Sequence, residues 1–288
     1  MLTLAPPQVF HEIEPGFKHY PKGSFDFVLG TASGLDPETK TVIVTTATGE
    51  IKQTYDILIL ATGTRTTGDL PWKASRSGYQ ATKDILHKYQ KQVKAAKSIV
   101  LGGGGPTGVE TAGELGFEYG KTKEITLITG APELMHDCLP VNISKVVERE
   151  LKKLHVTTTK GVKITDSKAT ADGKTELTLD NGETKIVDLY LPTVGNLPNT
   201  EYVPKALLDD NGYVIVDEYL RVKGADGVWA VGDVSNVDPS QIVYIQKQTP
   251  VITKNLDLVI KGKQPIPYKS GGDREFFLCT LSNFLGGL

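Results

Sequence analysis

Residues 99–110 read Ile99-Val100-Leu101-Gly102-Gly103-Gly104-Gly105-Pro106-Thr107-Gly108-Val109-Glu110. A short apolar run leads into the spacing Gly103-x-Gly105-x-x-Gly108, and small residues typical of a helix follow it. In such a turn the first glycine permits the bend, the second admits a pyrophosphate, and the third lets helix and strand pack closely. The helix N-terminus then binds the phosphates. The stretch predicts a dinucleotide-binding turn, and a plain flexible glycine loop is the alternative.

The composition indicates a globular protein whose function depends on a site. Its 288 residues correspond to about two domains. The 32 basic and 34 acidic residues leave a formal net charge of −2, which gives no electrostatic footprint for nucleic acid or an anionic membrane. No apolar run is long enough to span a bilayer, and residues 1–7 lack the zones of a signal peptide. We therefore expect a cytoplasmic protein.

Cysteine and histidine spacing argues against dithiol and metal chemistry. Cys138 and Cys279 form no Cys-x-x-Cys pair, so we expect both to be buried and reduced, without a dithiol relay. The five histidines show no metal-ligand spacing, and no metal site is expected.

Two distant segments share one pattern. Residues 48–52 followed by 56–63 are echoed by residues 181–185 followed by 188–195. In each, Gly-Glu predicts a hairpin, and an Asp then opens an apolar run that indicates a buried parallel strand. The echo favours two similar nucleotide-binding units, although coincidental hairpins are the alternative.

The same echo predicts where another glycine turn would lie. Gly105 precedes Gly182 by 77 residues, whereas only 48 residues precede Gly49. If the two units are equally long, the first unit's glycine turn would fall about 28 residues before Met1. We therefore expect the chain to start inside its first domain.

The remaining pattern predicts an α/β fold. Helices are expected at 80–96 and 141–154 and strands at 125–128 and 228–231, followed by a linker at 261–265 and the beginning of another sheet around 276–278.

Four segments occur in a characteristic order: Ala61-Thr62-Gly63, the turn at 103–110, Val194-Gly195-x-x-Pro198-Asn199-Thr200, and Val228-Trp229-Ala230-Val231-Gly232-Asp233. This set resembles the FAD/NAD(P)-binding pyridine nucleotide-disulfide oxidoreductase superfamily. Gly-Val-Glu after the turn and the lack of paired cysteines point to the apoptosis-inducing-factor-like branch, that of the mitochondrion-associated inducer of death. That branch is also similar to type II NADH dehydrogenases. The resemblance covers residues 25–255.

The resemblance implies an FAD domain interrupted by an NAD(P)H domain. The FAD-binding domain would comprise residues 1–75 and 201–262, the NAD(P)H-binding domain 76–200, and the beginning of a C-terminal domain 263–288. The implied fold class is α/β with two nested Rossmann-like dinucleotide-binding domains of the three-layer ββα type, the first lacking its N-terminal βαβ unit. Hydride would pass from nicotinamide to flavin, and electrons onward to a quinone-like or other small acceptor.

The same resemblance implies the binding positions. Those assigned to the two cofactors, FAD and NAD(P)H, are Ala61, Thr62, Gly63, Gly103, Gly105, Pro106, Thr107, Gly108, Gly195, Gly232 and Asp233. Because a carboxylate repels a pyrophosphate, Asp233 would instead accept hydrogen bonds from ribityl hydroxyls or backbone N–H groups. The alternative for Gly232-Asp233 is a plain turn after a strand.

Glu110 is the candidate catalytic residue. It follows the third glycine by two positions, which predicts a place in the first turn of the helix. In the resembling enzymes the nicotinamide meets the flavin nearby, so this carboxyl would bind the carboxamide or relay a proton to reduced flavin. The alternative is an acid that stabilises the helix N-terminus by about 0.3 to 1 kcal/mol through the dipole.

The choice between NADH and NADPH stays open. An acid that binds the ribose 2′-hydroxyl should end the second strand, about 20 residues beyond the glycines. Thr129-Gly130 occupies that place, with neither an acid for NADH nor an Arg for a 2′-phosphate.

Two functions therefore remain. The first is FAD-dependent NAD(P)H oxidation, in which the partner is a small electron acceptor; a homodimer and a peripheral membrane or mitochondrial association are left open. The second is a flavin-free NAD(P)-binding or interaction module. Without the first unit's glycine turn, FAD would lose three or four charge-assisted hydrogen bonds to its pyrophosphate. This loss would remove about 4 to 12 kcal/mol of binding, which favours the second function. A flavin monooxygenase is a weaker third idea.

Overall fold

The computed structural model describes residues 10–136 and 139–270. It has two compact units. The continuous unit is Thr66–Gly195, and the discontinuous unit comprises residues 10–65 together with 196–270. Cys138 lies in the gap between the two described ranges. Cys279 and the sheet predicted around 276–278 lie beyond residue 270, outside the described residues.

Helices and short strands alternate from α1 to β8, as the predicted α/β class requires, and runs of strands precede and follow this part. The helices are α1 (Tyr79–Ala95), α2 (Pro106–Tyr119), α3 (Val141–Lys153) and α4 (Ile242–Ile260). The strands are β1 (Thr31–Asp36), β2 (Thr41–Thr46), β3 (Gly49–Thr54), β4 (Leu58–Leu60), β5 (Thr64–Thr66), β6 (Ser98–Gly102), β7 (Glu124–Thr129), β8 (Val156–Lys160), β9 (Ile164–Ala169), β10 (Thr175–Leu179), β11 (Thr184–Val187), β12 (Leu189–Pro192), β13 (Asn196–Pro198) and β14 (Val228–Ala230). The predicted helices and strands in the described ranges are confirmed to within two residues at each end.

A parallel sheet forms the centre of the continuous unit. Its strand order is β12-β6-β7-β8, so the glycine-rich stretch follows an inner strand. Leu101, Leu127 and Leu191 are fully buried, because helices cover one face of the sheet and the antiparallel sheet β11-β10-β9 contacts the other. This is the layered arrangement of a Rossmann-type unit.

The discontinuous unit contains a three-stranded antiparallel sheet, β1-β2-β3, and two separate strand pairs. In one pair β4 lies parallel to β14, and in the other β5 lies beside β13. The core packs against α4 and includes Val214, Leu220 and Ile252. None of the four helices in the described part of the chain is long and apolar enough to cross a membrane.

Both hairpins of the sequence echo are present, and each is followed by a parallel strand. The hairpins join β2 to β3 and β10 to β11, and the strands that follow are β4 and β12. The two strands differ in burial, because Ile59 in β4 is 43% exposed. The prediction of a buried parallel strand therefore fits β12 better than β4, which is exposed at its middle residue and among the described residues pairs with β14 alone.

The two aspartates of the echo also differ. The Asp188 carboxylate accepts the backbone N–H groups of Lys97 and Ser98 at 2.8 and 3.0 Å. These bonds hold the pKa of Asp188 below its usual value and tie the beginning of β12 to that of β6. Asp56 is exposed at the equivalent place.

Candidate functional site

The glycine turn in the continuous unit has little room for side chains at several positions, among them Gly103 and Gly108. Gly103 has a φ of +127°, and its N–H donates to the Ile128 carbonyl at 2.8 Å. A Cβ on Gly108 would overlap the Gly103 carbonyl oxygen. Gly105 is different, because no atom lies within 4 Å of the place where its Cβ would be. Two glycines therefore serve the turn itself, and Gly105 leaves an open space beside it.

The N-terminus of α2 opens onto this turn without a side-chain cap. Gly105 is the N-cap residue and Pro106 the first helical residue. The N–H of Val109 donates to the Gly105 carbonyl at 3.0 Å. The N–H groups of Thr107 and Gly108 come before that first helical hydrogen bond, so they have no acceptor within α2. Open space, free donors and the helix dipole together fit a pyrophosphate.

Thr129 ends the neighbouring strand and packs against the same turn. A Cβ on Gly104 would lie 2.8 Å from Thr129 Cβ. The Thr129 hydroxyl oxygen accepts the N–H of Ala131 at 3.2 Å, and the side chain is buried. The loop then returns to the turn, where the N–H of Met135 donates to the Gly104 carbonyl at 2.7 Å. Thr129 therefore shapes the turn by packing.

A charged cluster that sequence reasoning missed lies beside this loop. Lys160 Nζ is 2.9 Å from a Glu133 oxygen and 2.8 Å from a Glu148 oxygen, and all three side chains are less than one third exposed. The hydrogen bonds to the carboxylates raise the pKa of Lys160, and the ammonium lowers the pKa of Glu148. Its members are 12 and 15 residues apart along the chain, so no local motif could indicate the cluster.

Lys160→Met is expected to destabilise the protein by about 1 kcal/mol near neutral pH, because two carboxylates would lose their shared cation. The lowered pKa of Glu148 means that this stabilisation is present above its ordinary pKa of 4.5 and is lost as the pH falls through the lower folded value. The difference in the free energy of unfolding between variant and parent should therefore shrink as the pH falls below 4.5. Urea denaturation of variant and parent at neutral pH and at a series of pH values below 4.5 measures this difference. Lys168→Met, at an exposed pair 3.9 Å apart, is the matched control and should show no change.

Glu110 lies on α2 but not in its first turn. The helix begins at Pro106, so Glu110 is its fifth residue and the first turn contains no acid. The first-turn prediction is wrong because proline, with its φ already helical, begins the helix before Gly108. The side chain is half-buried. Since the dipole effect fades beyond the first turn, its stabilising role is weaker than expected.

In the discontinuous unit, parallel pairing brings two of the predicted motifs together. Leu60 pairs with Ala230, and the N–H of Val231 donates to the Leu60 carbonyl at 3.0 Å. Because β4 and β14 are parallel, the segments that follow them begin at the same carboxyl edge, which is where α/β sheets bind ligands. Just beyond it, the hydroxyl of Thr64 donates to Asp233 Oδ2 at 3.3 Å. Ala61-Thr62-Gly63 and Gly232-Asp233 are thus neighbours.

Asn199 holds the first of these motifs in place. Its Nδ2 donates to the Thr62 carbonyl at 2.8 Å, and its carbonyl accepts the Thr62 hydroxyl at 2.8 Å. Its N–H also donates to the Gly63 carbonyl at 2.9 Å. Arg65, which sequence reasoning missed, donates to the Pro198 carbonyl and to Asn199 Oδ1. These bonds fix the backbone of residues 61–63.

The edge itself is open and polar. Ala61 and Thr62 are exposed, and no atom lies within 4 Å of the place where a Gly63 Cβ would be. Burial raises the pKa of Tyr202, whose hydroxyl lies 3.3 Å from that of Thr62. An open backbone edge beside hydroxyls and the Asp233 carboxylate fits a group rich in hydroxyls, such as a ribityl chain.

Gly195 lies at the end of the continuous unit, apart from the glycine turn in sequence. It has a φ of +84° and is exposed. The structure groups the other predicted positions by unit. The 103–108 turn lies with Glu110 in the continuous unit, and residues 61–63 lie with Gly232 and Asp233 in the discontinuous unit.

Comparison with known families identifies this arrangement. The family model described as "Pyridine nucleotide-disulphide oxidoreductase" matches residues 4–249. The chain belongs to this family. It is an oxidoreductase family whose cofactors are FAD and NAD(P)H, so the family resemblance drawn from the four motifs is confirmed.

Individual relatives agree with the family assignment. Oxidoreductase ptaL of Pestalotiopsis fici is 46% identical over 263 residues, covering 91% of this chain and 70% of that protein. Apoptosis-inducing factor homolog B of Dictyostelium discoideum is 26% identical, covering 82% of this chain and 65% of that protein. A crystal structure of a ferredoxin reductase from Rhodopseudomonas palustris shares the fold, with a TM-score of 0.73 at 20% identity, covering 92% of this chain and 65% of that one. The chain thus spans 65 to 70% of the length of these proteins.

Proposed function

We propose that this chain is an FAD-dependent NAD(P)H oxidoreductase that passes hydride from nicotinamide to flavin and electrons to a small acceptor, with a quinone as the acceptor class. The observation that most supports this is the parallel pairing of β4 with β14, which places residues 61–63 beside Gly232 and Asp233. The discontinuous unit would be the FAD-binding domain and the continuous unit the NAD(P)H-binding domain.

In the discontinuous unit, the proposed flavin contacts are backbone and hydroxyl groups. Ala61, Thr62 and Gly63 would line the isoalloxazine or ribityl portion, and Asn199 would keep their backbone from moving. Asp233 would accept ribityl hydroxyls, which are neutral donors that a carboxylate binds well. When bound, FAD supplies the capacity to accept a hydride and to release electrons to an acceptor.

In the continuous unit, the proposed nicotinamide-dinucleotide contacts are the N–H groups of Thr107 and Gly108 and the open space at Gly105. Gly103 and Pro106 would shape the turn, and Gly195 would border the site from the end of the unit. Glu110 would bind the carboxamide of the nicotinamide or hold a proton for the reduced flavin, because it lies on the same helix two to three residues beyond these donors.

The visible spectrum of the purified 288-residue chain tests the proposal. A yellow protein that bleaches on addition of NADH or NADPH, and recovers its colour with a soluble quinone, is the expected result. A colourless protein that cannot be reconstituted with FAD but still binds NADH would contradict it. That second result would favour the flavin-free nucleotide-binding module.

Glu110→Gln is expected to lower the rate of NAD(P)H oxidation by about tenfold or more, because an amide cannot hold a transferable proton. Thermal stability should change little, since the residue lies beyond the first turn of α2. Glu114→Gln is the matched control, one turn further along the same helix and equally half-buried. Equal rates for both variants and the parent would leave Glu110 without a role in the reaction. Steady-state and single-turnover rates measure the effect.

A further inference from the structure

Gln248 connects the Gly232-Asp233 turn to a carboxylate that lies outside all of the sequence motifs. It projects from α4 and is 1% exposed. Its Oε1 accepts the N–H of Gly232 at 2.7 Å, and its Nε2 donates to Asp238 Oδ2 at 2.7 Å. Both ends of the amide are therefore used, so the side chain cannot rotate without leaving a buried group unpaired. Gln248 fixes the turn relative to Asp238.

Asp238 also binds a later segment of the chain. The Tyr268 hydroxyl donates to Asp238 Oδ2 at 2.7 Å, and the Ser270 hydroxyl donates to Oδ1 at 2.6 Å. Burial, followed by the hydrogen bond to the carboxylate, raises the pKa of Tyr268, which therefore stays a donor at neutral pH. Hydrogen bonds to an ionised acceptor are the stronger kind. One carboxylate thus joins the turn to residues 266–270.

Residues 266–270, here named the strap, are held at two further points. Asn255 is fully buried on α4 and exchanges two hydrogen bonds with the backbone of Ile266. The N–H of Tyr268 donates to the Glu218 carbonyl at 2.6 Å. The strap is therefore docked by specific polar contacts, and hydrogen bonds through Asp238 and Gln248 connect it to the turn.

We propose that Gln248 and Asp238 are positioning residues for the flavin turn, and that they couple docking of the strap to flavin binding. This inference rests on the proposed function, because the turn that they position is the proposed FAD contact. Coupling between two sites is reciprocal. Undocking the strap therefore weakens FAD binding, and bound FAD tightens the strap.

The first test compares cofactor affinities of Gln248→Leu and the parent chain. Leucine has a similar volume but offers no partner to Gly232 or Asp238, so the dissociation constant for FAD should rise about tenfold or more. The dissociation constant for NADH, measured on the same samples, should change less than about twofold because its proposed site lies in the other unit. A variant that binds FAD as tightly as the parent overturns the inference.

Gln248→Glu gives a readout that a general loss of stability would not produce. Among the described residues, the titratable groups near this position include Asp238, the Tyr268 phenol and the phenol of Tyr244, one turn earlier on α4. A protonated carboxyl can still accept from Gly232 and donate to Asp238, whereas an ionised one is repelled by Asp238. FAD affinity of this variant should fall at least fivefold between about pH 5 and pH 8, while the parent changes little. A pH-independent loss would reduce Gln248 to a packing role and overturn the inference.

Tyr268→Phe tests the strap end of the connection. It removes one donor from Asp238 without touching Gly232, so a rise of about threefold in the FAD dissociation constant is expected. Tyr55→Phe is the matched control in the same unit, because the Tyr55 hydroxyl is buried and has no hydrogen-bond partner among the described residues. Equal FAD affinities for the two variants would contradict coupling through the strap.

Amide exchange on flavin-free protein separates failure of this inference from failure of the proposed function. If the parent cannot bind FAD, the proposed function fails, but the role of Gln248 is still decided by exchange at residues 228–236. Faster exchange there in Gln248→Leu, with unchanged exchange at residues 98–119, supports positioning of the turn. Unchanged exchange at residues 228–236 overturns it.

Discussion

Gly108→Ala and Gly105→Ala are both expected to impair NADH binding, but only Gly108→Ala is expected to lower stability as well. A methyl group on Gly108 would overlap the Gly103 carbonyl oxygen, and because that oxygen is backbone, the turn itself must move. We expect a loss of about 3 kcal/mol in the free energy of unfolding, at the upper end of overpacking effects. NADH binding should be lost along with the turn.

Gly105→Ala should leave stability within about 0.5 kcal/mol of the parent. Its φ of −79° and ψ of −173° are ordinary for alanine, and no atom lies within 4 Å of the new methyl group. The methyl group would instead occupy the space assigned to the pyrophosphate, so the dissociation constant for NADH should rise about tenfold or more. Urea denaturation and calorimetric titration of both variants measure the two effects.

The pair discriminates because each variant controls for the other. If Gly105→Ala binds NADH like the parent, the phosphates do not lie at this turn and the proposed nucleotide site is wrong. If Gly108→Ala is as stable as the parent, the close packing of helix and turn does not limit this position. Gly161→Ala tests a glycine outside the site, where a φ of +70° strains alanine although the space is open. It should lower stability without affecting nucleotide affinity.

The sequence predicts the glycine turn well because its information is local. Gly103, Gly105 and Gly108 stand at a fixed spacing between a strand and a helix, and the whole pattern that indicates the turn lies within residues 98–119. The hairpins at residues 46–49 and 179–184 are predictable for the same reason. Hydrophobic periodicity and turn-forming residues therefore predict most helices, strands and hairpins of both units.

Contacts between distant residues are where prediction from the sequence stops. Asn199 was part of a motif, but its three bonds to Thr62 and Gly63 span more than 130 residues, and only the pairing of β5 with β13 brings them together. Gln248 and Asp238 belong to no motif, because their contacts with each other and with Gly232 depend on where α4 packs. Glu110 lies just beyond the first turn in which it was predicted, since the start of a helix depends on a single proline.

Asn255→Leu is expected to lower the free energy of unfolding by about 3 kcal/mol, because it leaves buried backbone groups without partners. The amide of Asn255 is 0% exposed. Its Nδ2 donates to the Tyr219 and Ile266 carbonyls at 3.3 and 2.9 Å, and its Oδ1 accepts the N–H of Ile266 at 2.7 Å. Leucine fills the same volume but satisfies none of them, so hydrophobic gain offsets only part of the loss.

Asn236→Leu is the matched control for this effect. Asn236 is exposed and its side chain accepts a single backbone N–H, that of Val216 at 3.3 Å, so its replacement should cost less than about 1 kcal/mol. Because Asn255 anchors the strap at Ile266, trypsin should also cleave Asn255→Leu faster after Lys263 or Lys269 than it cleaves the parent or the control. Equal stability and equal cleavage for Asn255→Leu and Asn236→Leu would show that the buried amide does not dock the strap. If stability falls but cleavage at these lysines stays at the parent rate, Asn255 holds Tyr219 against α4 and the strap is docked by Tyr268 and Ser270 without Asn255.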